Sequence, residues 1–256
     1  MRLLLSSLFA LAVVGCQSVP VTGRSQFILV DESEVASLSS AEFAKMKKLP
    51  SDPRLPKLRE IGLKIVAAAR LDDKKDVLPP ASKWEFAIID DKSPNAFAMP
   101  GGKIGFNTGM FTHAPTDADI AVVLGHEVAH VICRHGSERV SQVIGVTIAA
   151  AVADEATKKS SERTRSSWMA AVGLGAQYGI LLPFSRSHES EADYLGVLFM
   201  ARAGYDPAAA PAFWSRFAKS GTKMPEFFST HPADSTRVKQ LQAWLPIARA
   251  QMPIRP

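Results

Sequence analysis

Gly125-His126-Glu127-Val128-Ala129-His130 puts two imidazoles four positions apart, with a carboxylate directly after the first. On an α-helix such a pair projects from one face about one turn apart, so both rings can close on a single metal ion. Glu127 then stands beside the pair, where a carboxylate can take a proton from a metal-bound water. The chemistry implied is hydrolysis. Two imidazoles do not complete a catalytic zinc site, which needs a third protein ligand and one position left for water. Ser185-Arg186-Ser187-His188-Glu189-Ser190-Glu191-Ala192-Asp193 is the place to look for it. Glu189 and Asp193 are four apart and share a helix face. Glu189 can supply the carboxylate ligand while Asp193 accepts a hydrogen bond from a ligand imidazole and holds its tautomer. Glu191 and His188 compete with Glu189 for the ligand role, and a solvated acidic face is the ordinary state of such a run. The residues alone leave that choice open.

The elements that must position these groups are legible around them. Thr116, with Asp119 three residues on, resembles a capping box, and Asp117 and Asp119 suit the positive end of a helix dipole. Ile120, Val122, Val123 and Leu124 predict a helix buried on most sides. Arg134, His135 and Gly136 read as a basic last turn and a glycine stop, with His135 capping the helix. Cys133 reads as a buried, inert thiol. The third-ligand segment continues as a helix through Leu195, Phe199 and Met200 to a stop at Gly204, with His188 at its surface.

Upstream, helical patterns cover about 33–47 and 54–69, the second with Leu58, Ile61, Ile65 and Ala68 on one side. Residues 72–82 form a polar, Pro-containing loop, and Trp84 to Ile89 carry a strand signal. Residues 95–99 and 103–108 predict a hairpin, with Pro100 and Gly101 at the centre of a type II turn. Gly105 and Gly109 predict close approach of another backbone, either a substrate added at the sheet edge or the protein's own packing. After the metal helix come two apolar stretches, 140–153 and 168–182, both shorter than a membrane span and read as buried or interface-lying helices. The polar loop 154–167 between them, or the segment around His231, is expected to gate the metal. No internal repeats are present.

The 256 residues carry 46% apolar and 21% charged side chains, the make-up of an ordinary globular protein. Net charge is +5 with Lys and Arg scattered, and no basic stripe with interleaved aromatics supports nucleic-acid binding. Arg2, the apolar run from Leu3 to Val14 and the small residues before Cys16 predict a secretory signal over 1–15. Val13-Val14-Gly15-Cys16 resembles a bacterial lipobox, which makes Cys16 a lipid-bearing mature N-terminus. Gln17, by analogy with enterobacterial sorting, favours an outer membrane. Residues 16–30 read as a tether and 31–256 as one domain. With Cys16 used as an anchor, Cys133 has no partner for a disulfide.

His126-Glu127-Val128-Ala129-His130, the later Ser185-Arg186 with Glu189, Glu191, Ala192 and Asp193, and Ser229-Thr230-His231-Pro232 with Arg237 together resemble one gluzincin peptidase family. It is the family of the CAAX prenyl endopeptidase, HtpX and BepA. The likeness runs from about residue 20 to 245, and Asn95-Ala96-Phe97-Ala98-Met99-Pro100-Gly101-Gly102 looks like the family's strand beside the cleft. The resemblance implies an α+β fold, mainly helical, of zincin type with a small β-sheet next to the active site. It implies one Zn2+ per chain on His126, His130 and Glu189, Glu127 as general base, and Asp193 as the carboxylate behind the ligands. His231 and Arg237 match positions that stabilise the tetrahedral intermediate or block the metal in a resting form. The alternative from local sequence is that His231 only precedes a helix begun by Pro232, with Arg237 on its exposed side. The chain lacks the several spanning helices of the integral-membrane relatives and the helical-repeat extension of BepA, which marks the compact, lipid-anchored, periplasmic type.

The expected function is a zinc endopeptidase acting on misfolded or misassembled envelope proteins. Its expected partners are protein substrates and a membrane reached through the lipid anchor, not nucleic acid. A periplasmic chaperone or assembly factor for outer-membrane proteins is the alternative, and a non-haem iron site shares the two-His, one-carboxylate donor set.

Overall fold

The fold is seen in a computed structural model that describes residues 16–19, 21–71, 78–157, 162, 186–219, 231 and 236–253. The expected signal sequence and the apolar stretch 168–182 lie outside the described residues.

Two short strands, β1 (Cys16–Ser18) and β2 (Ser25–Phe27), pair antiparallel. The segment expected to be a tether is therefore folded onto the body, with Val19, Gln26 and Ile28 buried. Helix α1 (Glu32–Lys45) starts at Asp31, whose carboxylate accepts from the Ser33 and Glu34 amides. Helix α2 (Leu55–Arg70) has a proline in its first turn and buries Leu58, Ile61, Ile65 and Ala68, the stripe read from the sequence.

A three-stranded sheet follows, built from β3 (Glu85–Ile89), β4 (Ala96–Met99) and β5 (Lys103–Asn107) in the order β3-β5-β4. Strands β4 and β5 are the expected hairpin, closed by Pro100 with Gly101 and Gly102 both at φ 82°. Strand β3 runs parallel to β5, which is thereby the central strand, and β4 lies at an edge. The glycine expectation resolves to the protein's own packing. A Cβ on Gly105 would strike the Phe97 ring, and one on Gly109 would strike the Lys92 carbonyl.

Helix α3 (Asp117–Ile132) is the metal helix, opened by the Thr116–Asp119 capping box. Every side chain from Asp119 to Ile132 is buried, as the apolar flanks required. Its end differs from expectation. Arg134 takes the left-handed turn itself, at φ 56°, and α4 (His135–Thr157) begins at once. Gly136 lies inside that next helix, where its missing side chain admits the Pro100 ring. Helix α4 absorbs the stretch 140–153 and the start of the expected flap loop, whose remainder, apart from Glu162, lies outside the described residues. Helices α5 (Arg186–Arg202), α6 (Ala209–Lys219) and α7 (Arg237–Arg249) are the remaining helices among the described residues. Helix α5 stops at Gly204, at φ 89°, with the Tyr205 amide donating back to Met200.

Helices α3 and α5 cross with their backbones touching. A Cβ on Gly125 would lie 2.7 Å from the Gly196 carbonyl oxygen, and one on Gly196 would lie 2.8 Å from the His126 amide nitrogen. This contact sets the height of Glu189 and Asp193 over the two imidazoles. Among the described residues no helix is long and apolar enough to cross a membrane.

Candidate metal centre

His126 and His130 project from one face of α3, and their Nε2 atoms stand 3.0 Å apart. Glu189 comes down from α5 onto both, with Oε2 3.3 Å from His126 Nε2 and Oε1 3.3 Å from His130 Nε2. His231 adds a fourth donor: its Nδ1 is 3.1 Å from His126 Nε2 and 3.0 Å from Glu189 Oε1. All four residues are buried. A tetrahedral zinc ion with ligands at about 2.0–2.2 Å needs donors roughly 3.3–3.5 Å apart, so the cluster fits after opening by a few tenths of an ångström. Two details call for a cation. Glu189 Oε2 accepts no hydrogen bond among the described residues, and neither oxygen of Glu127, which is 0% exposed, does so.

Each ligand imidazole is oriented from behind. Asp193 Oδ1 lies 3.0 Å from His126 Nδ1, which fixes the hydrogen there and leaves Nε2 for the metal. Arg237 clamps the same carboxylate with Nε 2.5 Å from Oδ2 and Nη2 2.6 Å from Oδ1. Its guanidinium lies 3.5 Å above the Trp214 ring, which shields the pair from water. Behind His130 stands His135, Nδ1 to Nδ1 at 2.8 Å, and behind His135 stands Glu191, 2.9 Å from its Nε2.

Burial and charge oppose each other throughout the cluster. Burial disfavours protonation of His126, but Glu189 and Asp193 overcome it and lift its pKa to about 9. Burial alone would raise the Glu189 carboxyl, yet His231 and His126 hold it far below the usual carboxylate range. His130, dominated by burial, stays neutral, as a metal ligand must. Burial likewise lowers His135 to about 4. Glu127 goes the other way: burial raises its carboxyl above the ordinary range, against the pull of His231 and His126. An ionised carboxylate among buried imidazoles is stable only with a cation to neutralise it.

The structure brings together His126, Glu127, His130, Glu189, Asp193, His231 and Arg237. It also corrects several local readings. His135 does not cap the metal helix; it backs His130. His188 is not a surface residue: it is 4% exposed, stacks on His135 and lies 3.0 Å from Glu138. Arg237 is buried, not exposed, and Pro232 lies outside the described residues. Cys133 is buried, with burial lifting its thiol well above the usual range. The sequence reading missed Trp214, His135, Glu191 and Arg24. His135 carried one usable signal, an imidazole five residues after His130; Arg24 carried none.

A buried glutamate with no hydrogen bond is costly, and a protein that only held unfolded chains would have no use for one beside a metal cluster. The class that fold and site define is the zinc-dependent endopeptidases built on a helical H-E-x-x-H and a carboxylate from a second helix. Comparison with known proteins narrows this: residues 54–245 match Peptidase family M48, and the chain belongs to that family. Zinc, not iron, is accordingly the metal. The chain is 32% identical over 252 residues to the mitochondrial metalloendopeptidase OMA1 of Saccharomyces cerevisiae, covering 90% of this chain and 69% of that protein. It is 29% identical over 243 residues to the Schizosaccharomyces pombe protein of the same name, covering 91% and 67%. It is also 29% identical over 161 residues to the beta-barrel assembly-enhancing protease of Yersinia pestis, covering 60% of this chain and 33% of that protein.

Proposed function

We propose that the chain is an endopeptidase that clears misfolded or misassembled proteins from a bacterial envelope, held at the outer membrane by a lipid on Cys16 and facing the periplasm. The observation that carries the catalytic part is Glu127, fully buried beside the metal cluster. Among the described residues neither of its oxygens is hydrogen-bonded, and only His231 Nε2, 3.5 Å from Oε1, is an ionic neighbour. His126, His130 and Glu189 would hold the zinc ion, which would supply Lewis acidity for a bound water and the scissile carbonyl. Glu127 accepts the proton of the attacking water and passes it to the leaving amine, a dual role suited to a carboxyl held above its ordinary range. Asp193, clamped by Arg237, keeps His126 in its ligating tautomer. Arg237 positions the ligands, through Asp193 and through its own Nη2, 3.5 Å from Glu189 Oε2, and its guanidinium is engaged there instead of on the oxyanion. His231 is the fourth donor of a resting form, because its Nδ1 lies among the ligand atoms.

Among the described residues β4 pairs on one side only, and its other edge is where an extended substrate would add as a further strand. Ala98, Met99 and Pro100 share a small cleft with His130, Val131 and Arg134, so a chain paired there would run past the metal. The envelope setting draws support from the predicted signal and lipobox and from the relative named a beta-barrel assembly-enhancing protease. The test is Glu127→Gln. It should retain one zinc per chain by metal analysis and lose about 10²–10⁴-fold in peptide cleavage, the usual worth of a positioned general base. In envelope proteomics, substrates should accumulate in that variant. Unchanged cleavage would overturn the catalytic assignment; full cellular function without cleavage would favour the chaperone alternative.

A further inference from the structure

The active-site reading leaves a second buried polar cluster without a task. Arg24 sits in the turn between β1 and β2, its backbone tied by Val19 N–H to Arg24 C=O at 2.8 Å. Its guanidinium forks onto two carboxylates: Nη2 and Nη1 to Glu138 on α4 at 2.8 and 3.1 Å, and Nε to Glu191 on α5 at 2.8 Å. Thr22 donates its hydroxyl to the other oxygen of Glu191. Glu191 in turn meets His135 Nε2, and His135 Nδ1 meets His130 Nδ1. The chain of contacts thus starts 24 residues into the sequence and ends on a zinc ligand.

The proton count along it is fixed by chemistry. His130 directs Nε2 to the metal cluster, so its Nδ1 carries the hydrogen. With 2.8 Å between the two Nδ1 atoms only one hydrogen fits, so His130 donates and His135 accepts. The hydrogen of neutral His135 is then on Nε2, donated to Glu191 Oε2. Glu191 must stay ionised to receive it, and Arg24 supplies the neutralising charge. His188, stacked on His135 at 4.3 Å between centroids, prevents the ring from tilting. We propose that Arg24, Glu191 and His135 form a positioning relay that sets the tautomer and ring angle of His130 and makes zinc affinity depend on the docked N-terminal hairpin. The relay rests on the zinc-site reading, with His126 backed directly by a carboxylate and His130 backed through a second imidazole. Cys133 also lies near His135 and Glu191, but a second metal there is opposed by the Arg24 guanidinium on Glu191.

The experiment measures zinc affinity by chelator competition and the ligand-field spectrum of the cobalt form, on the full chain after signal removal. His135→Leu removes the acceptor and should weaken zinc binding about 10–100-fold and shift the cobalt bands, the usual effect of losing a residue that orients a ligand. His135→Asn returns an oxygen acceptor near the Nδ1 position and should recover most of the affinity. Glu191→Gln and Arg24→Gln should weaken binding by lesser factors, in that order. An affinity and cobalt spectrum for His135→Leu equal to wild type would overturn the relay, as would an Asn variant no better than Leu. Should His135→Leu fail to fold, Arg24→Gln decides at the periphery: unaltered zinc affinity there overturns the link to the hairpin. His130→Ala is the control, and if it binds zinc like wild type the zinc-site assignment itself fails.

Discussion

Gly196→Ala separates what helix propensity expects from what the helix crossing expects. In an isolated helix the change favours folding by about 1 kcal/mol, because alanine is the better helix former. In α5 the added Cβ would lie 2.8 Å from the His126 amide nitrogen and 2.9 Å from the Gly125 carbonyl carbon. Both are backbone atoms of a fully buried helix, so no rotamer change relieves the contact. Ordinary contact begins at about 3.5 Å, so α5 has to retreat by roughly half an ångström or more. Overpacking of this kind costs about 1–3 kcal/mol. With no side chain able to yield, the upper end applies, which leaves a net loss of about 2 kcal/mol after the propensity gain. For a chain of this size that is roughly 4–8 °C in melting temperature. The same retreat carries Glu189 and Asp193 away from the imidazoles, beyond the roughly 0.2 Å tolerance of a metal site. The assay is calorimetric unfolding together with zinc affinity by chelator competition. A variant that melts at or above wild type with unchanged zinc affinity would refute the crossing as the device that assembles the site.

Three further outcomes are expected. His231→Ala should cleave a fluorogenic peptide faster than wild type if His231 is the fourth donor of a resting form; slower cleavage would assign it instead to the developing oxyanion. Asp193→Asn removes the carboxylate that clamps Arg237 and leaves, among the described residues, only Glu189 Oε2, 3.5 Å from Nη2, as its counter-charge, so a stability loss of up to about 3 kcal/mol in urea unfolding accompanies weaker zinc binding; a loss below the error of the measurement would show that Glu189 and Trp214 suffice to hold Arg237. Burial alone would raise Glu138, but His188 and Arg24 hold it at about 2 against an ordinary 4.5. A carboxyl depressed on folding stabilises above its unfolded value, so this contribution is complete above about pH 4.5 and is lost as pH falls toward 2. Urea unfolding across that window should be steeper in wild type than in Glu138→Gln, and equal slopes would contradict the pairing.

The imidazole pair, the neighbouring base, the capping box at Thr116 and the glycine stop at Gly204 were legible because each depends on a few successive residues. Helix pitch converts a spacing of four into a shared face wherever the helix goes. The same logic could not choose Glu189 over Glu191. Two residues apart on one helix, they point to different sides, and sequence does not say which side meets α3. Nor could it place His188, His135 or Arg237, each polar and each buried because a partner distant in sequence hydrogen-bonds or ion-pairs with it. The end of the metal helix was misread for a related reason: Gly136 looked like a stop, but its lack of a side chain serves the Pro100 contact, and Arg134 makes the turn.

By itself the sequence determined the donors, the base and the helix that carries the first two ligands, since covalent spacing and helical geometry leave little freedom at that range. The tertiary structure decided which carboxylate completes the set, what stands behind each imidazole and why the N-terminal hairpin matters to the metal. Those depend on where two glycines let α3 and α5 touch and on which buried charges then find each other, and contacts between residues more than a hundred positions apart are fixed only by packing.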